Sequence, residues 1–297
     1  MIGGLLHGLS RFFNRMPLER ALAWGRGLGW IYGSVIRYHR ADAVDALRRS
    51  FPEKTPAEIR ALVNAMYANL GMNVTENLRL LRGLTPELHN RVEWIGRPHV
   101  DDALKRGRGL LILTAHMGNW ELLMMYAAFC GYPLTAITKN LRQRFLHDAL
   151  NMVRTSSGVR IVPARDSYRT CLKALKRNEL IGFILDQNRP RSQGVFVDFF
   201  GRSASTTPGL ALMAAHSGAP IVPAFMHRRP EPGRHVIVCH PPLDPPPNRD
   251  PETLRAATQI YTRYIEDEIR QYPGQWIWLH RRWRSRPPGE IVANITS

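Results

Sequence analysis

One histidine in this chain stands where a strand gives way to a helix, with a carboxylate five residues further on. The segment LLILTAHMGNWE, residues 110–121, opens on an apolar run that reads as a buried strand. Gly118 and Asn119 punctuate the turn after His116, and an apolar helix follows from Trp120. Open α/β folds place their chemistry at this kind of edge. A histidine with one ring nitrogen held by a carboxylate can use the other as a general base. Glu121 is the carboxylate that the spacing offers. Five residues advance a regular helix by about 500°, so the two side chains meet only if His116 precedes the helix and the turn folds it back. The spacing alone is a weak signal. With 11 histidines and 24 acidic residues in 297 positions, one such pair occurs, and roughly one is expected by chance. A helix-capping histidine, with Glu121 complementing the helix N-terminus, fits the same residues.

The pattern after residue 90 supplies the elements that would hold such a pair. Strands are expected at 92–95, 110–113, 134–138, 159–162, 180–185, 221–225 and 236–239. Helices are expected near 98–106, 119–130, 142–156, 167–177, 207–217 and 252–271. This alternation predicts an α/β fold, a mixed, mainly parallel sheet flanked by helices. Residues 41–88 read as helical. Thr55-Pro56-Ala57-Glu58 is a helix start, with Thr55 as cap, Pro56 at the first position and Glu58 three after the cap. The proline-rich stretch 240–252 reads as a surface connection before the last long helix. We expect residues 41–297 to form one domain, helical over 41–88 and α/β over 90–290.

Composition narrows the partners. Lys and Arg number 41 against 24 Asp and Glu, a formal net charge of +17 with a pI near 10.7. Such a surface attracts polyanions: nucleic acid, an anionic membrane face or an acidic carrier protein. Arginines are spread along the whole chain and no nucleic-acid-binding motif is recognisable, which argues against a nucleic-acid partner. Cys130, Cys171 and Cys239 are widely spaced, without a C-x2-C pair or zinc-type cluster, so no metal and no cofactor are expected. There is no G-x-S-x-G elbow, no P-loop and no G-x-G-x2-G after a strand, which removes the main support for serine hydrolase, P-loop nucleotidase and dinucleotide readings.

The first 40 residues mix Phe12, Phe13, Trp24, Trp30 and Tyr32 with Arg11, Arg15, Arg20, Arg26, Arg37 and Arg40. Aromatic bodies at headgroup depth with guanidinium groups reaching phosphates describe an interfacial segment. The uncharged stretch 27–36 is ten residues long, too short to span a bilayer. A helical pair packed on the domain, and a tilted, imperfect transmembrane helix, are the competing readings. We expect 1–40 to be a membrane-associating region.

His116-Met117-Gly118-Asn119-Trp120-Glu121 resembles the His-x4-Asp/Glu signature of the lysophospholipid acyltransferase superfamily. Its Gly-Asn-Trp-Glu form looks like the bacterial lipid A biosynthesis branch, the lauroyl and myristoyl transferases. AEIRALVNAMYANLGMNVTENLRLL, Asp186-Gln187 followed by GVFVDFFGRSASTTPGLALMAAHSGAPIVP, and PGQWIWLHRRWRSRP are similar to further blocks of that family, in the same order. The similarity covers roughly residues 40–288 and is more specific than the histidine motif alone.

The resemblance implies acyl transfer from a thioester, on acyl carrier protein or coenzyme A, to a hydroxyl of a lipid A precursor or related glycolipid. A lysophospholipid acceptor is the alternative. It also implies the cytoplasmic face of a bacterial inner membrane. His116 is expected to take the hydroxyl proton and Glu121 to hold the imidazole. Backbone N–H groups near Gly118, Asn119 and Trp120, and a nearby arginine, are candidate oxyanion donors. Arg154 matches an arginine position of the family, or is a solvated helix face. Asp186, with Gln187, Asn188 and Arg189, is a polar cluster that would orient substrate, or a turn aspartate. Thr206 would face a phosphate, although helix capping explains at least one of Ser205, Thr206 and Thr207. His280, Arg281, Arg282, Arg284 and Arg286, among Trp276, Trp278 and Trp283, would contact an anionic headgroup or carrier, or form an exposed strand whose tryptophans pack on the core.

Overall fold

A computed structural model of the chain describes residues 2–83, 85–138, 144–164 and 167–289. The helices, in chain order, are α1 (Ile2–Arg15), α2 (Leu18–Trp30), α3 (Arg40–Ser50), α4 (Pro56–Leu80), α5 (Pro86–His89), α6 (Arg97–Lys105), α7 (Trp120–Phe129), α8 (Arg144–Thr155), α9 (Ser167–Lys176), α10 (Gly209–Ser217) and α11 (Pro251–Gln271). The strands are β1 (Val92–Ile95), β2 (Leu110–Thr114), β3 (Leu134–Thr138), β4 (Arg160–Pro163), β5 (Leu180–Ile184), β6 (Val195–Phe199), β7 (Arg202–Thr206), β8 (Ile221–Arg228) and β9 (His235–Cys239). Residues 142–143, the expected start of one helix, and residue 290 lie outside the described residues.

Seven strands form one sheet in the order β1-β9-β8-β2-β5-β3-β4. Only β8 and β9 pair antiparallel within it; the other neighbours are parallel. The expected mixed, mainly parallel sheet is the observed one. β2 lies at its centre and is buried at every position, as a strand covered on both faces must be. Its side chains alternate: Leu111 and Leu113 join a core with α9, α10 and α11, whereas Leu110 and Ile112 join one beneath α6 and α7.

The sequence reading missed β6 and β7, a separate antiparallel hairpin. Its two-residue turn is Phe200-Gly201, both at positive φ (55° and 69°). Phenylalanine there lacks the Asn-Gly signal that marks such a turn in sequence.

α4 begins as read, with a complete capping box between Thr55 and Glu58 and Pro56 in the first turn. Such a cap contributes about 1 kcal/mol. α2 crosses α4 at backbone distance. A Cβ added at Gly71 would stand 2.1 Å from the Gly25 carbonyl oxygen, so only glycine allows this approach. Among the described residues no helix is long and apolar enough to cross a membrane. The N-terminal helices α1 and α2 pack beside α4.

Candidate active site

β2 and β5 are parallel neighbours whose last paired residues are Thr114 and Ile184. His116 and Asp186 each lie two residues beyond, at the C-terminal edge of the sheet. Asp186 is almost fully buried and accepts three hydrogen bonds. His116 Nδ1 contacts its Oδ1 at 2.8 Å, the His116 backbone N–H donates to Oδ2 at 2.7 Å, and Trp276 Nε1 donates to Oδ2 at 2.8 Å. The imidazole is 24% exposed and Nε2 is left facing away from this carboxylate.

Glu121 occupies a different place from the one the spacing suggested. Its carboxylate is gripped by Arg154, Nε to Oε2 at 2.7 Å and Nη2 to Oε1 at 2.5 Å, and accepts from the Trp120 indole at 3.1 Å. The partner that bonds the His116 ring is therefore Asp186, 70 residues away. The reason is local. Asn119 ends the turn as N-cap of α7, accepting from Leu122 N–H, so Glu121 lies in the first helical turn and projects toward α8 rather than back to the strand edge. Glu121 remains near enough for its charge to act on His116.

The electrostatics follow from these contacts. Burial works against a charged imidazole, but the Asp186 carboxylate beside it, through charge and hydrogen bond, and the more distant Glu121 raise the His116 pKa above the usual 6.5. Burial would raise Asp186, yet His116 and the donors around it outweigh that and hold its carboxyl down at about 2. Arg154 is disfavoured by burial but held charged by Glu121, its pKa raised above the usual value.

A cavity of about 380 Å³ opens beside His116, within the range of small-ligand sites. Arg154, Gln187 and Arg189, three of the residues expected to contact substrate, line it together with Tyr168 and Thr207, which the sequence reading did not assign to substrate. Phe183, Leu185 and Met213 supply apolar wall. Arg154 and Arg189 bring two guanidinium groups to its lining, the first paired with Glu121. The Trp120 ring stands edge-on to the imidazole, centroids 5.3 Å apart.

Other expected contacts lie elsewhere. Thr206 is fully buried, donating to the Ala204 carbonyl and accepting from Arg282, so its neighbour Thr207 is the one at the cavity. Gly118 and Asn119 are buried behind the histidine. The Gly118 N–H is held by the Gln275 carbonyl at 3.0 Å, which removes it as an oxyanion donor. The C-terminal basic aromatic run is not a strand: Trp276, Trp278, Trp283 and Arg282 are buried, and the last donates to the Ser205 carbonyl.

Sequence reasoning missed the anchor behind the turn. Gly118, at φ 55°, lies against β8 so closely that a Cβ would meet the Met226 carbonyl oxygen at 2.0 Å. Its own carbonyl accepts from Asn69 and Asn73 of α4. Next on α4, buried Glu76 binds Arg228 through both oxygens, His235 at 3.1 Å and Asn119 Nδ2 at 2.8 Å. Asn69, Asn73 and Glu76 recur at helical spacing, a polar stripe on an otherwise apolar helix, and that is the signal that marks them. Among the described residues no group of three or more His, Cys, Asp or Glu side chains is placed to hold a metal ion.

A histidine braced by a carboxylate, at the edge of a parallel sheet and beside a cavity lined by two arginines and apolar side chains, has the geometry that proton removal from an attacking hydroxyl needs. Comparison with known proteins gives the class. Residues 5–285 match the family described as bacterial lipid A biosynthesis acyltransferase, and the chain belongs to that family. It is 28% identical over 276 residues to the lipid A biosynthesis lauroyltransferase of Escherichia coli, covering 93% of this chain and 89% of that protein. It is 24% identical over 261 residues to a lipid A biosynthesis acyltransferase of Haemophilus influenzae, covering 88% and 80%. It is 27% identical over 282 residues to the phosphatidylinositol mannoside acyltransferase of Mycolicibacterium smegmatis, covering 92% and 88%. The chain is an acyltransferase of this superfamily, acting between an acyl donor and an acceptor hydroxyl.

Proposed function

We propose that the protein moves a fatty acyl chain from an acyl thioester, on acyl carrier protein or coenzyme A, to a hydroxyl of a lipid A precursor or related phosphorylated glycolipid. The observation that carries this reading is the His116–Asp186 couple opening on a cavity lined by Arg154, Arg189 and apolar side chains. His116 Nε2 takes the acceptor proton as the oxygen attacks the thioester carbon. Asp186 stabilises the imidazolium, which returns the proton to the departing thiolate sulfur. Arg154 places positive charge beside the developing oxyanion, and Arg189 with Gln187 receives an anionic part of the substrate. Glu121 acts through Arg154.

Three relatives named for lipid A or inositol mannoside acylation favour a glycolipid acceptor. The last of them supports a second reading, a phosphoinositide-type glycolipid, through the same chemistry. Membrane attachment is proposed through the N-terminal helices. Leu5, Leu9 and Phe12 on α1, and Trp24, Leu28 and Ile31 on and just after α2, recur at helical spacing and are solvent-exposed. Arg11, Arg15, Arg20 and Arg26 flank them, also exposed, as an anionic inner-membrane face requires.

The test is transfer of radiolabelled acyl chains of several lengths, from carrier-protein and coenzyme A thioesters, to lipid IVA-type and phosphoinositide glycolipid acceptors. Wild type should acylate at least one. His116→Ala should stay folded and lose about a hundredfold to ten-thousandfold of the rate. Full activity in His116→Ala would refute the assignment.

A further inference from the structure

The stretch 275–277 lies along the catalytic turn like a strap. Gly118 N–H donates to the Gln275 carbonyl at 3.0 Å, Ile277 N–H donates to the His116 carbonyl at 3.2 Å, and Met117 and Trp276 form an isolated antiparallel bridge. The Gln275 side chain locks this stretch to β8, donating to the Arg228 carbonyl at 3.0 Å and accepting from its N–H at 2.7 Å. Between these backbone contacts the Trp276 indole is 1% exposed and reaches inward to Asp186.

The indole is itself fixed. It stands edge-on to Trp278 at 4.6 Å and to Phe199 at 5.8 Å, centroid to centroid. A carboxylate held at one oxygen can still rotate about its Cβ–Cγ bond. Asp186 Oδ2 is pinned by two donors from different segments, the His116 N–H and the Trp276 indole, and this turns Oδ1 toward His116 Nδ1. An indole N–H only donates, so it favours the ionised carboxylate and takes no proton from the His116 ring.

We propose that Trp276 is a positioning residue for the acyl-transfer centre, aiming the Asp186 carboxylate at the general-base histidine through its indole N–H. This rests on the functional reading above, that His116 is the base. The groups facing the couple are Glu121 from α7, Arg154 from α8 and buried Arg282 from the C-terminal segment, whose charge acts on Asp186. None of them replaces the indole as a donor to Oδ2.

The experiment replaces Trp276 in the full chain by benzothienylalanine, which keeps the ring shape and lacks the N–H, and in parallel by 5-fluorotryptophan, which keeps both. Trp276→Phe is a genetically simpler third form. The primary readout is the titration of the His116 imidazole by NMR, assigned by its loss in His116→Ala, and it needs no substrate. With the N–H gone, the carboxylate turns from the ring, and the His116 titration should fall toward the ordinary histidine range by about half a unit or more. The fluorinated form should titrate as wild type. Transfer should lose about tenfold in kcat with KM little changed, the mark of a group acting on the chemical step. An unchanged or raised His116 titration in the benzothienyl form, with near-ultraviolet circular dichroism intact, overturns the proposal. A lowered titration in a protein that transfers no acyl chain would sink the functional reading while leaving the positioning contact standing.

Discussion

His116 and Asp186 are in register. Each stands two residues past the last paired position of neighbouring parallel strands, Thr114 opposite Ile184, and their side chains meet at 2.8 Å. Two adjacent strand ends thus bring imidazole and carboxylate together on a rigid sheet, whereas Glu121 is carried by the following helix and bonds Arg154. The two carboxylates should separate by experiment. Asp186→Asn should fold and lose up to about ten-thousandfold in kcat, the order seen when a histidine's carboxylate partner becomes an amide. Glu121→Gln leaves a buried guanidinium without its counter-ion, and breaking such a pair costs about 3–5 kcal/mol. Its main signature should be a lowered urea midpoint. Equal activity losses at unchanged stability in both variants would contradict this division.

The pH profile has a fixed sign. A general base works when neutral, and Asp186 together with Glu121 keeps the His116 pKa above 6.5. The acid limb of kcat/KM should therefore lie above pH 6.5, with activity rising through it. In Asp186→Asn the residual activity should show that limb at lower pH, because burial is then opposed only by the more distant Glu121. Initial rates across pH 5–9 with one thioester donor check both directions.

Much of this arrangement was legible in the sequence. The apolar runs of the parallel sheet, the turn at Gly118-Asn119, and the Thr55–Glu58 capping box each announce themselves through local chemistry. His116 was found because it interrupts such a run at its end. Its partner was misassigned because spacing along the chain cannot reveal register between strands. Asp186 and His116 are neighbours only once β2 and β5 pair, with β3, β4 and three helices intervening in sequence. The basic aromatic run near the C-terminus reads either as a headgroup or carrier contact or as a strand whose tryptophans pack on the core; the tryptophans are buried, and Arg282 is buried with them, which a run of charges does not announce. The Phe200-Gly201 turn was missed because its backbone is imposed by the hairpin rather than favoured by phenylalanine.

The anchor behind the turn should be felt in acid. Arg228 and His235 hold the buried Glu76 carboxyl well below its usual 4.5, against the opposing effect of burial. A carboxylate depressed on folding contributes stability that is fully present above the unfolded value and drains away as pH falls through the folded one. Urea midpoints should therefore decline below about pH 4.5. Glu76→Gln should be destabilised at pH 7 by about 3–5 kcal/mol and show a flatter decline. Asn73→Ala, which removes one donor to the Gly118 carbonyl, should cost about 1–3 kcal/mol and lower kcat more than it raises KM. An acid decline as steep in Glu76→Gln as in wild type would show that other carboxylates carry it.

The N-terminal face offers the last test. Trp24, Leu28 and Ile31 are 57%, 43% and 43% exposed, although large apolar side chains gain about 1.5–3 kcal/mol each when buried. A membrane interface recovers part of that without any helix crossing the bilayer. Replacing all three by serine should weaken binding to vesicles of anionic phospholipid by at least about a hundredfold, each 1.4 kcal/mol being tenfold. The wild-type protein should bind neutral vesicles far less well, and added salt should weaken its hold on anionic ones, since Arg11 and Arg15 lie exposed on α1 and Arg20 and Arg26 on α2. The Gly25–Gly71 crossing seats α2 directly on α4, and α4 carries Asn69, Asn73 and Glu76. Gly71→Leu should therefore loosen α2 and disturb the catalytic turn together, lowering thermal stability and kcat in one step. Vesicle co-sedimentation, melting curves and transfer rates on the same preparations distinguish the two variants. The triple serine change should leave the melting temperature near wild type and the Gly71 change should not; a triple variant that sediments with anionic vesicles like wild type removes this face as the attachment site.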